Sequence, residues 1–95
     1  MDPSEYNVHK ALVALAIETV LFDIGKPAYN EVLGKLVKDY KCYFPDCYDH
    51  PEYLKNILQD IYGNQAPTII GRIRKQLDGF ETQKGIDTFI AIISS

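Results

Sequence analysis

Apolar residues recur at three- and four-residue steps along almost the whole chain, the spacing of one face of an α-helix. The first such segment opens at Asp2-Pro3-Ser4-Glu5. Here Asp2 can accept a first-turn N–H, Pro3 suits the first helical position and Glu5 closes a capping box. It runs to about Ile24, where Gly25 supplies a left-handed stop. Pro27 opens a second helix striped by Ala28, Val32, Leu33, Leu36, Val37 and Tyr40. Lys41 to Tyr48 reads as a non-helical link, and Tyr40–Phe44 is the one place where a strand is conceivable. Asp49 and Glu52 form a second capping-box pair around Pro51. A third helix follows with Tyr53, Leu54, Ile57, Leu58, Ile61 and Tyr62 on one face, ending at Gly63. After the turn Asn64–Pro67, a fourth helix carries Ile69, Ile70, Ile73 and Leu77 and stops at Asp78-Gly79. A last helix starts near Thr82 with Ile86, Phe89, Ile90 and Ile93. The pattern predicts an all-α fold, a compact bundle of about five helices forming one domain over residues 1–95.

The first helix breaks the amphipathic rule. Ala11–Ile17 is apolar on every side, and Val20, Leu21 and Phe22 continue it. A helix apolar all round is buried all round. The leading expectation is a central core helix enclosed by the others. The alternative is that a second copy covers one face, since a two-fold axis is the commonest way to hide such a patch.

Composition narrows the class without naming an activity. Ninety-five residues can bury roughly 65% of the unfolded surface, enough for one core without staples. The apolar fraction of 46% and the charged fraction of 24% are those of an ordinary globular chain. Two cysteines are too few for a disulfide scaffold. The longest apolar run has seven residues, against about 20 for a spanning helix, and the flank Met1–Glu5 is acidic rather than basic. The expectation is a cytoplasmic protein with no membrane contact. No glycine-rich phosphate loop is present, and nothing marks an oxyanion site, so the chain reads as a non-enzyme without a cofactor.

Chemistry-bearing residues concentrate between Cys42 and Leu54. Cys42, Cys47 and His50 offer soft or borderline metal ligands, but a closed zinc site wants four. A fourth would come from His9, Asp46, Asp49 or another chain. As a thiol sensor, Cys47 would be acidified by the following helix start, with Cys42 as resolving thiol. The plainer reading makes both cysteines small buried hydrophobes. Tyr43, Phe44, Tyr48, His50 and Tyr53 form a candidate partner-binding surface, because loops that carry exposed aromatics often bind partners. His9 reads as a helix-surface residue.

Nucleic acid is disfavoured. The net charge is −3 and the isoelectric point near 5.2, whereas nucleic-acid binding normally needs a basic footprint. The third and fourth helices could still form a helix-turn-helix-like pair, with Arg72, Arg74 and Lys75 on the second. Lys35, Lys38 and Lys41 make a smaller basic cluster.

The string Asp46-Cys47-Tyr48-Asp49-His50-Pro51-Glu52-Tyr53-Leu54, followed by Ile61-Tyr62-Gly63-Asn64, resembles the Nitrosopumilus output domain type. Asp23-Ile24-Gly25-Lys26-Pro27 and its spacing to Tyr40 fit the same pattern, so the resemblance spans nearly the whole chain. It implies a small archaeal all-helical domain, stand-alone or appended to signalling modules, with a role in signal transduction or transcriptional regulation. It carries over no catalytic residue. The combined expectation is a small non-catalytic regulatory module working through protein–protein contact, with itself as homodimer among the partners. A DNA-binding regulator and a metal or thiol sensor are the alternatives.

Overall fold

A computed structural model describes residues 3–95. The bundle is all-helical, with no strand among the described residues. Helix α1 covers Pro3–Ile24, α2 Lys26–Lys35, α3 Pro51–Tyr62, α4 Ala66–Gln76 and α5 Ile86–Ser94. The expected Asp2 cap lies outside the described residues; Pro3 is the first helical residue of α1. The radius of gyration is 12.3 Å, close to that of a folded domain of this length.

α1 is the organising element, but only one side of it is in the core. Val13, Ala14, Ala16, Ile17, Val20 and Leu21 are buried against α2, α4 and the 44–48 segment. Val8, Leu15 and Phe22 are 56%, 62% and 53% exposed. The central-core expectation is therefore corrected for this face: the other helices of a chain this small pack on one side and leave the opposite side uncovered. The core is completed by Val32, Leu36, Phe44, Leu54, Leu58, Ile73, Leu77, Ile86, Phe89 and Ile93. α5 packs on its own bundle, against α3 and α4.

The link between α2 and α3 is helical rather than extended. α2 widens into a π-turn over Leu36–Tyr40, Lys41 turns the chain in the left-handed region (φ 57°), and Phe44–Tyr48 form a 3₁₀ helix. The cause is local hydrogen bonding. The Asp46 carboxylate accepts from Tyr43 N–H at 2.9 Å, while Asp46 N–H donates to Tyr43 C=O at 3.0 Å. An Asp that closes its own turn outcompetes a strand here.

Two expected boundaries also move. Asp49 and Glu52 do not form a capping box: His50 is the residue before α3 and makes no side-chain cap. The Asp49 carboxylate is instead taken by the Tyr6 hydroxyl. α5 starts at Ile86 instead of near Thr82. Gly85 sits at φ 102°, a conformation only glycine adopts readily, and Asp87 accepts from the N–H groups of Gly85 and Thr88 at 2.9 and 2.7 Å. Those bonds define the helix start, and residues 77–85 remain a run of turns.

Candidate functional site

His9 is the one buried polar side chain among the described residues, 1% exposed. This reverses its reading as a helix-surface residue. Its ring is held at both nitrogens: Nδ1 lies 3.1 Å from the Tyr48 hydroxyl and Nε2 lies 2.9 Å from Gln83 Oε1. In the neutral ring, the Gln83 oxygen can only accept, so Nε2 carries the hydrogen and Nδ1 accepts from Tyr48. The Tyr48 ring stands edge-on to His9 at 5.6 Å and to Tyr6 at 5.7 Å.

This arrangement backs a cleft of about 470 Å³ lined by Glu5, Tyr48, Asp49, Lys84, Gly85 and Thr88. Glu5 comes from the first turn of α1, Asp49 from the end of the 3₁₀ helix, and Lys84 and Thr88 from the approach to α5 and its first turn. The cleft's acidic character is visible in its neighbours. Tyr48 titrates above the usual tyrosine range, through burial first and then the charges of Asp49, Glu5 and Asp87. Tyr6 is also raised, chiefly by its hydrogen bond to Asp49. Asp87 is lowered by the N–H groups it accepts from. Lys10 balances part of this, lying 3.7 Å from Asp46 and 5.2 Å from the Tyr6 ring centroid.

The expected aromatic surface is divided by the fold. Tyr43 is 60% exposed, whereas Phe44 is a core residue. Phe44 thus leaves the candidate partner-binding set, because the 3₁₀ turn directs it beneath α1. Tyr48 is drawn toward His9. Tyr53 is sandwiched by Tyr40 at 4.1 Å and His50 at 4.5 Å, both nearly parallel to it. His50 itself is exposed and faces Glu52, Nδ1 to Oε2 at 3.4 Å.

The metal and thiol alternatives lose their geometry. No group of three His, Cys, Asp or Glu among the described residues is placed to hold a metal ion. Cys47 is buried, and burial pushes its thiol up to about 12. Cys42 is raised as well, by desolvation and then by Asp46, and its Sγ lies 3.2 Å from the Tyr40 carbonyl oxygen. Burial outweighs the neighbouring helix start, so the acidification that a thiol sensor needs is absent and Cys47 is the small buried hydrophobe of the plainer reading.

Arg72 of the helix-turn-helix-like pair is paired with Asp23 of α1. Arg74 and Lys75 remain exposed, and Arg74 lines a separate small cleft with Lys55 and the C-terminal residues of α5. Lys35 is likewise engaged, 2.8 Å from Asp60.

The feature that sequence reasoning undervalued is the exposed face of α1. Val8, Leu15 and Phe22 recur at intervals of seven, with Ala11 and Thr19 between them also exposed. That heptad spacing was legible in the chain, but was masked by the apolar residues on every other side of the helix. No protein-family model, curated protein or solved structure matches this chain. Among the described residues, no helix is long and apolar enough to cross a membrane.

Proposed function

We propose that this protein is a small non-catalytic signalling or regulatory module, as its resemblance to the Nitrosopumilus output domain type implies, and that it acts through contact between copies of α1. The observation that carries the reading is the Val8–Leu15–Phe22 stripe, exposed on a helix whose opposite side is buried. A 3.5-residue average spacing is that of a helix–helix seam.

A second copy fits the stripe well. In an antiparallel pair with Leu15 on the two-fold axis, Val8 falls opposite the partner's Phe22, and Ala11 opposite the partner's Thr19. Large residues meet smaller ones along the seam, and Leu15 meets itself. At its edge, Asn7 falls opposite the partner's Asp23, an amide beside a carboxylate. No like charges face one another across the stripe.

Native mass spectrometry and light scattering at several concentrations test this. The expected result is a reversible dimer that Leu15→Asp converts to a folded monomer. A wild-type chain that stays monomeric at high micromolar concentration overturns the proposal.

A further inference from the structure

A second cleft, of about 200 Å³, lies where α3, α4 and the end of α5 meet, and no residue of α1 lines it. Lys55 and Gln59 stand one turn apart on α3, and Ile70, Gly71 and Arg74 follow one face of α4. Ile70 and Ile93 are buried and give the cleft an apolar floor. The chain has a net charge of −3, yet this cleft is lined by two cations and by no Asp or Glu. Among the described residues neither Lys55 nor Arg74 makes an ion pair. Lys55 Nζ donates to Ser95 Oγ at 3.1 Å, and that hydroxyl donates to the Ile92 carbonyl oxygen at 2.8 Å. The contact holds the ammonium at the cleft and leaves two of its three hydrogens for another acceptor.

Gly71 is a second, independent observation. It sits inside α4, where glycine is the poorest helix former after proline. Neither packing nor backbone geometry asks for it. A Cβ there would meet no atom within 4 Å, and Gly71 is not among the glycines with positive φ. The missing side chain instead leaves space in a cleft that two cations line. Like charges sharing a small cleft repel, and an anion seated between them reverses the sign of that interaction.

We infer that this cleft binds a dianionic phosphate group, either free phosphate or a short-chain phosphate monoester. Such a group carries close to two negative charges and three strong acceptor oxygens. The Arg74 fork, the Lys55 ammonium and the Gln59 amide supply donors for them. Ile70 and Ile93 offer apolar surface to a short carbon body. The volume is below the roughly 300 Å³ at which drug-sized pockets begin, so the ligand is smaller than a nucleotide.

Amide chemical-shift titration of the full chain tests the inference. The probes are inorganic phosphate, ethyl phosphate, and succinate as a dianion with its charges on separate ends. The expected result is a saturable shift with phosphate or ethyl phosphate, centred on Lys55, Gln59, Gly71 and Arg74. Tighter binding of ethyl phosphate identifies a monoester as the source, and equal or weaker binding identifies free phosphate. Lys55→Ala and Arg74→Ala should each weaken binding about tenfold, the loss typical of one charge-assisted contact. Lys75→Ala, at an exposed cation outside the cleft, should leave binding unchanged. Gly71→Leu should raise the melting temperature, because leucine is the better helix former, and abolish the saturable shift. An equal loss from Lys75→Ala, or equal binding of succinate, would reduce the effect to general charge attraction and overturn the inference. A Gly71→Leu chain that binds as tightly as wild type would place the ligand elsewhere and overturn it too, as would failure of both phosphate probes at millimolar concentration. A monomeric chain that still binds phosphate would refute the dimer reading and leave this one standing.

Discussion

His9 on the first helix and Gln83, which precedes the last, are joined by a 2.9 Å hydrogen bond across 74 residues of sequence. With the Tyr48 hydroxyl on its other nitrogen, His9 pins the N-terminal half of α1 to both the 3₁₀ segment and the final turn. Replacing His9 by Leu removes both bonds and leaves the half-buried Tyr48 hydroxyl without this partner. The expected cost is about 1–3 kcal/mol of unfolding free energy, read by urea denaturation. Amide exchange should speed up first in residues 77–85. An unchanged urea midpoint would show that the histidine is structurally neutral.

Leu15→Asp separates the two readings of α1. A core position would not tolerate a carboxylate. Leu15 is 62% exposed, so the monomer should retain its helicity and lose no more than about 1 kcal/mol, the scale of helix propensity at a surface site. Circular dichroism and thermal melting at dilute protein concentration measure this. The opposite outcome is expected on the core side of the same helix: Ile17→Asp, at a fully buried site, should abolish folding.

Cys47 should be inert in the folded protein. Its thiol is raised from an ordinary value of 9.0 to about 12, by burial first and by neighbouring Cys42 and carboxylates after that. A thiol reagent at mildly alkaline pH should therefore label Cys42 slowly and Cys47 only after denaturation. The raised value also has a linkage consequence. The folded state holds the proton more tightly than the unfolded state, so this contribution is fully present below pH 9 and is lost as pH rises toward 12. Cys47→Ala should flatten the alkaline fall in stability. Tyr48 and Tyr62, both raised by burial, will leave part of the slope in place.

Asp87 gives the opposite sign. Its carboxyl is held below the ordinary value of 3.8, chiefly by the N–H groups of Gly85 and Thr88. Its contribution is present above that value and declines as pH falls through the depressed one. Asp87→Asn should lower the melting temperature at neutral pH and have progressively less effect in strong acid. A melting difference that does not shrink with acidification would show that the charge is irrelevant to the α5 start.

The helices were legible because their apolar spacing is dense and their ends carry strong local signals. Gly63 ends α3 where the chain needs positive φ (52°), and Pro51 and Pro67 sit in first turns. The 42–54 segment misled for a related reason. Its prolines and aspartates read equally well as link or cap, and which backbone group each carboxylate meets depends on distant residues. Asp49 turns to Tyr6 of α1 and so cannot cap α3. Phe44 and Tyr43 are neighbours of similar character, yet one is core and the other solvent-facing.

Periodicity, glycine placement and composition by themselves determined that this chain is an all-helical bundle with its core on Ile, Leu and Val stripes, since those are short-range properties of backbone and side chain. Only the tertiary structure decided that α1 keeps one apolar face uncovered, which of the two readings of Cys47 holds, and that His9 joins the 3₁₀ segment to the turn before α5. Each of these depends on which surfaces meet across tens of residues, where burial and hydrogen-bond partners are set by packing and leave no local mark on the chain.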